Sequence, residues 1–294
     1  MTTLDNRPAD SEDGEVEPST LYIVPTPIGN LGDMSPRGRA ILAGVDLIAA
    51  EDTRTTRQLL AALGMSVRAR LVSYHDHNAR QRAPAIAREM AEGGISAALV
   101  SDAGTPACSD PGFRLVVACV EAGLRVVPLP GPAAFLCALV ASGLPTDRFL
   151  FLGFLPSSSG KRQHHLEEVR RQSATLCLYE SPRRLVEVLR DALEILGDRR
   201  ACVAREVTKR YEEFLRGPLS ALIEILAARD AIRGEVVLII EGDVAPPQEG
   251  AQNAEALRLI DTLRGLDTPP NAIKKIVAAH TGMSPREVYA LMLG

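Results

Sequence analysis

The run from Leu99 to Gly112, LVSDAGTPACSDPG, brings two aspartates, two glycines and two prolines into one loop behind an apolar strand candidate. Such residue types build a ligand pocket from backbone atoms. Gly104 and Gly112 permit close main-chain approach, Pro106 and Pro111 stiffen the loop, and strand ends and helix starts leave free donors and acceptors at this edge of an α/β sheet. Two more proline and glycine loops, PTPIGNLGD (25–33) and PLPGPAA (128–134), each close a predicted strand, so the three can line one pocket. The first does not match GxGxxG, and the chain contains no GxxxxGK[ST] loop, which disfavours binding of nucleotide phosphates. Glu51, Asp52, Thr53 and Arg54 emerge from another strand end and are expected to face the same cleft, with a salt-bridged helix start as the plain alternative. Asp110 precedes Pro111 and the next helix and reads as an N-cap. His75 and His77 lack a matching acidic or cysteine set, so no metal is expected and loop hydrogen bonding is their assigned role.

Positioning these loops requires alternating strands and helices. Strands are predicted over 21–26, 46–50, 71–74, 97–101 and 125–129, with helices such as 79–91 and 113–120 between them. The pattern βαβα implies a mostly parallel sheet covered on both faces. After PLPGPAA a helix leads to a second series of strands at 149–154, 175–179, 201–205, 211–215 and 235–240, and the closeness of the last ones suggests a mixed sheet. Residues 243–252 read as a linker, and 254–293 as two or three short helices of helix-turn-helix type. The resulting division is a disordered acidic tail (1–19), an N-terminal α/β domain (20–130), a second α/β domain (131–245), and a linker with a helical tail (246–294).

A chain of 294 residues with 46% hydrophobic residues suffices for two domains. No apolar run approaches the roughly 20 residues that span a bilayer, so a cytoplasmic protein with no membrane partner is expected. Five cysteines, odd in number and unpaired in spacing, read as reduced thiols. The net charge of −4 is uneven. Residues 1–20 hold six acids against Arg7, so the rest of the chain carries +1 and leaves room for a local basic face. SSSGKRQHH (157–165) is a basic run that flanks the presumed cleft, either a solvated face or an electrostatic guide for phosphates through Lys161 and Arg162.

The three loops resemble the tetrapyrrole methylase superfamily. AEDTRTTRQLL (50–60), SYHDHN (73–78), GFLP (153–156), LYESPRR (178–184), REVTKRYEE (205–213) and GEVVLIIEG (234–242) narrow the likeness to the ribosomal RNA small subunit methyltransferase I family, over roughly residues 21–242. The acidic N-terminal extension departs from the pattern. The resemblance implies a two-domain α/β fold of tetrapyrrole-methylase type, with a cofactor cleft between the domains and a small C-terminal helical region. It implies methylation of the ribose 2′-hydroxyl of a decoding-centre cytidine in 16S rRNA of the small ribosomal subunit, S-adenosylmethionine as methyl donor, and a homodimer. A tetrapyrrole methyltransferase and an inactive RNA-binding assembly factor are the alternatives.

Carried over by motif, the cofactor residues are Pro27, Ser101, Asp102, Ala103, Ala133, Ala134, Tyr179, Glu180 and Val207. A sulfonium beside a carboxylate is favourable, although Asp102 also suits a turn or helix cap. Displacement at the methyl carbon needs an aligned and activated hydroxyl. Glu180 or Glu206 is the candidate to position or deprotonate it, with Lys209 offsetting charge; bracing of the domain interface is the competing role. Substrate contacts fall to Asp52, Arg54, Arg57, Lys161, Arg162 and Arg183, by phosphate binding or by guanidinium stacking on a splayed base.

Overall fold

The computed structural model describes residues 15–243 and 249–293. The part of the acidic segment before residue 15 lies outside the described residues; Glu17, within them, pairs with Arg125. The residues up to Gly242 form one compact unit and those from Asp243 another.

In the larger unit, β1 (Thr20–Ile23), β2 (Leu47–Ala50), β3 (Arg70–Ser73), β4 (Ala97–Val100) and β5 (Arg125–Pro128) form a parallel sheet in the order β3-β2-β4-β1-β5. The three central strands are buried along their whole length and apolar but for Thr20, as expected when helices cover both faces. Alternate residues sort the helices. Ile48, Ala50, Ala98 and Val100 pack with α1 (Pro36–Gly44) and α2 (Thr53–Ala62), while Leu47, Ala49, Ala97 and Leu99 pack with α3 (Asp76–Gly93) and α4 (Phe113–Glu121). Chain direction across the sheet reverses between β1 and β4. A crevice opens at that point, at the carboxyl ends of both strands. The expected strand 21–26 stops at Ile23, because beyond it Thr26 pairs only with Gly104 of the neighbouring loop.

Beyond α5 (Ala134–Ser142), the strands β6 (Phe149–Phe154), β7 (Thr175–Glu180), β8 (Arg200–Arg205), β9 (Glu213–Pro218) and β10 (Val236–Ile240) make a second sheet, ordered β6-β7-β10-β8-β9. Only β6 and β7 run parallel in it. One face packs on α6 (Ser159–Glu168), α7 (Leu185–Leu196) and α8 (Leu219–Ala227). The other face packs on α5 and on Ile28 from the first loop, so one apolar cluster joins this sheet to the PTPIGNLGD segment. Strand β9 begins two residues later than its sequence suggests. Glu206 and Thr208 adopt left-handed backbone conformations (φ 52° and 69°), and the Thr208 N–H donates to Glu212 Oε2 at 2.7 Å, which commits 206–212 to a turn.

Glu213 on β9 accepts from Arg229 at 2.7 Å and from Arg205 at 3.0 Å. The Arg229 hydrogen bond outweighs burial and, with Arg205, holds the Glu213 carboxyl down to about 2. A depressed folded-state value stabilises the fold above the unfolded value of ~4.3, and this contribution is lost as pH falls through about 2. Acid unfolding followed by circular dichroism should therefore show a loss in that window which Glu213→Gln removes; an unchanged profile would contradict the assignment.

The smaller unit comprises α9 (Glu249–Gly265), α10 (Pro270–Thr281) and α11 (Pro285–Leu293), packed about Ala256, Ile260, Ile273, Val277 and Val288. No described helix is long and apolar enough to cross a membrane.

Candidate active site

Backbone pairing draws the three loops together. Thr26 and Gly104 exchange N–H to O hydrogen bonds at 2.9 and 3.0 Å, and the Thr26 hydroxyl donates to the Ser101 carbonyl at 3.2 Å. The Thr105 hydroxyl donates to the Pro132 carbonyl at 2.8 Å, tying the second loop to the third. Gly131 packs against the Pro25 ring where a Cβ would collide with it, and Gly104 (φ 87°) needs the left-handed freedom of glycine. Proline and glycine therefore serve approach between loops as much as approach to a ligand.

These loops line one wall of a cavity of about 390 Å³, within the size range of small-molecule sites. Ala103, Gly104, Thr105, Ala133 and Ala134 supply that wall, while Tyr179, Glu180, Val207 and Val237 come from the second sheet and its loops. Tyr179 is held by aromatic packing. Its ring meets Phe151 edge-on at 5.1 Å and Phe154 at 5.5 Å, and its hydroxyl accepts the Phe135 N–H at 3.4 Å. Burial pushes its phenol up to about 12, so it stays neutral. Among the described residues no lysine or arginine lines the cavity, whereas Asp110, Glu180 and Glu235 do. Such a lining suits a phosphate-free ligand that carries positive charge beside an apolar body.

Six of the nine cofactor residues named by motif line this cavity: Ala103, Ala133, Ala134, Tyr179, Glu180 and Val207. Pro27, Ser101 and Asp102 are not among the lining residues. Pro27 is buried. Ser101 lies beneath its loop, its hydroxyl 3.4 Å from the carbonyls of Ala103 and Gly104. Asp102 bridges loops, accepting the Asp52 N–H at 3.2 Å while its own N–H donates to Glu51 Oε2 at 3.2 Å.

The N-cap reading of Asp110 is corrected. Gly112 occupies the N-cap of α4, and Asp110 instead turns into the cavity wall. Proximity to a helix start misled the assignment, because Pro111 and Gly112 stand between Asp110 and the first helical residue, Phe113.

Of the three catalytic candidates, only Glu180 lines the cavity. Its Oε1 accepts the Ser181 N–H at 2.7 Å and its Oε2 pairs with Arg184 at 3.1 Å, while burial raises its pKa. Glu206 and Lys209 sit outside the lining. Lys209 Nζ bonds Glu206 Oε1 at 3.1 Å and Glu235 Oε2 at 2.9 Å, and its stem covers Gly29 of the first loop. Burial pushes the Glu206 carboxyl up, but the Glu235 N–H and Lys209 outweigh it and hold the acid below its usual range. This arrangement joins the two halves of the cleft. Lys209→Ala is expected to lower stability by about 1–3 kcal/mol by uncovering Gly29 and leaving Glu206 unpaired, measured by urea unfolding. A full loss of turnover at wild-type stability would argue for chemistry instead.

The substrate candidates divide. Asp52 caps α2 and grips Arg54 at 2.7 Å, an interaction that lowers the Asp52 carboxyl to about 2, yet Arg54 remains 83% exposed. Arg57, Lys161 and Arg183 are exposed. Arg162 is not. Its side chain is 0% exposed, bonded to Asp191 at 2.5 Å and Glu187 at 2.8 Å, and a guanidinium so enclosed cannot meet RNA. The basic run alternates around α6, so adjacent Lys161 and Arg162 face opposite environments. An exposed pair that motif reasoning passed over is Tyr211, 66% exposed, with the Arg210 guanidinium 5.6 Å from its ring.

Residues 20–223 match the family described as tetrapyrrole (corrin/porphyrin) methylases. The chain is 50% identical over 224 residues to a protein of Vibrio cholerae named ribosomal RNA small subunit methyltransferase I, covering 76% of this chain and 77% of that one. Proteins of the same name from Mesorhizobium japonicum and Escherichia coli O157:H7 are each 44% identical, over 95% and 97% of this chain and 92% and 96% of theirs. Among solved structures, a cobalt precorrin-4 methyltransferase superposes with a TM-score of 0.54 at 15% identity, covering 76% of this chain and 95% of that one, which speaks for the fold.

Proposed function

Since this chain belongs to the tetrapyrrole methylases and, within them, to the ribosomal RNA small subunit methyltransferase I family, we propose that it methylates 16S rRNA of the small ribosomal subunit at the ribose 2′-hydroxyl of a decoding-centre cytidine. S-adenosylmethionine is the methyl donor in this reading, and the enzyme works as a cytoplasmic homodimer. The observation that carries the donor assignment is the lining of the cavity: acidic residues, apolar walls and, among the described residues, no phosphate-binding cation.

Bound there, the donor supplies an electrophilic methyl group on a sulfonium. Ala103, Gly104 and Ala133 present main chain to it, and Val207 and Val237 cover its apolar part. The attacking ribose oxygen must lie opposite sulfur, and holding it there supplies much of the rate. Arg54, Arg57, Lys161 and Arg183 are the exposed cations that meet the RNA backbone, and Tyr211 with Arg210 offers a ring and a guanidinium for a splayed base.

Incubating the purified chain with tritiated S-adenosylmethionine and small ribosomal subunits from cells lacking the enzyme tests this reading. Label at the ribose of a decoding-centre cytidine is expected. Label on a base, or on a tetrapyrrole acceptor with none on RNA, would overturn it. Lys161→Ala should weaken RNA binding and reduce the salt slope by about 1; an unchanged slope would remove Lys161 from the interface.

A further inference from the structure

The last residues of β6 break the pattern of their strand. Phe149 and Phe151 pack against Phe135 of α5, while Leu150 and Leu152 pack with the helices on the other face of the sheet. Regular alternation would send Phe154 to that helix-covered face with the leucines. Instead Phe151 pairs with Cys177, Gly153 with Leu178 and Phe154 with Tyr179, so Leu152 is the extra residue of a β-bulge. Gly153 supplies the left-handed conformation (φ 63°), and a Cβ there would come within 3.1 Å of Ser109 Oγ in the second loop. A bulge re-aims the side chains that follow it. Phe154 consequently lines the cavity beside Tyr179, with ring centroids 5.5 Å apart, and stays 60% exposed.

Resting on the reading of this site as an RNA ribose methyltransferase, we propose that Phe154 is a substrate-positioning residue. Its ring is the platform on which the base of the target nucleotide stacks while the 2′-hydroxyl of that nucleotide enters the cavity.

A single exposed apolar side chain on open surface needs no explanation. Phe154 differs because the backbone departs from regular pairing just before it and so carries its ring to the rim of a cavity. Tyr179, beside it, is otherwise engaged: Phe151 meets its ring edge-on, and its hydroxyl accepts the Phe135 N–H. The connectivity of a nucleotide fits this arrangement. The base leaves C1′ and the attacking hydroxyl leaves C2′, adjacent ribose carbons, so a hydroxyl held opposite sulfur brings its own base to the cavity mouth. A base splayed from its strand is held by stacking on an aromatic ring, an interaction that every base can make because each has a π-face. Phe154 therefore sets the position and affinity of the nucleotide and leaves base identity to other groups. Tyr211 is not among the lining residues, so a base on its ring belongs to a neighbouring nucleotide. Covering the adenine of the donor is the competing use of Phe154 and would make it a donor-binding residue.

Methyl transfer to small ribosomal subunits from cells lacking the enzyme, at saturating donor and with donor affinity measured in parallel by calorimetry, separates the two uses. Phe154→Leu keeps an apolar side chain and removes the π-face. It should lower kcat/KM for the subunits at least about fivefold while donor affinity stays within about threefold. Phe154→Tyr keeps the ring and should remain within about threefold of wild type in both. Wild-type kcat/KM in Phe154→Leu would overturn the assignment, as would a loss of donor affinity that matches the loss of rate. So would Phe154→Tyr being as impaired as Phe154→Leu, since the site would then need the packing of one side chain and not a stacking face. Failure of the wild-type protein to methylate rRNA ribose at all would count against the parent reading instead.

Discussion

Arg162→Ala is expected to lower the stability of the larger unit by about 3–5 kcal/mol, because it strands the Asp191 carboxylate, 11% exposed, without the guanidinium that neutralises it. Gln163 still donates to Asp191 Oδ1 at 3.0 Å, but an amide offsets no charge. Glu187, 61% exposed, loses less, since water takes over from its partner. Urea unfolding should show the midpoint falling by about 1–2 M, while Lys161→Ala, one residue away on an exposed face, stays within about 0.5 kcal/mol. Equal stability of the two variants would mean that α6 is not pinned to α7 through this ion pair. The consequence for RNA-binding studies is practical. A double replacement of the basic run would report loss of fold as loss of affinity.

Gly131→Ala is the second large effect. A methyl group there meets the Cβ and Cγ of Pro25 at a separation that real atoms do not tolerate, and neither partner has a torsion to spare, since one belongs to a ring and the other to backbone. The first and third loops must move apart by shifting main chain. Overpacking of this kind costs about 1–3 kcal/mol. Because both loops belong to the pocket-forming set, donor affinity should fall at least about tenfold, the equivalent of 1.4 kcal/mol, without any atom being added inside the cavity. Gly160→Ala on α6, where a Cβ meets nothing, is the matched control and should be neutral or slightly stabilising. Calorimetry with the donor checks both. Wild-type affinity in Gly131→Ala would show that the loops adjust independently of the pocket.

The strand series was legible because β2, β4 and β10 are unbroken apolar runs, and burial on two faces leaves few other uses for such runs. The three proline and glycine loops were legible for a related reason: composition restricts backbone, and backbone builds the pocket wall. Six cofactor residues reached the lining because they sit in or beside strand ends whose position follows from the sheet. What composition did not reveal was which of two neighbours faces inward. Lys161 and Arg162 read alike as letters and differ completely in surroundings. Asp110 likewise reads as a helix cap, yet Gly112 takes that place and Asp110 is among the residues that line the cavity.

By itself, the sequence of this protein determined the α/β class, the loops that shape the pocket and the family to which the chain belongs, since each depends on local backbone chemistry or on strings of adjacent residues. Only the tertiary structure decided which charges are spent on one another. Arg162 serves Asp191, Lys209 serves Glu206 and Glu235, and Arg184 serves Glu180. The physical reason is that an ion pair acts through space over a few ångströms and takes no account of separation along the chain.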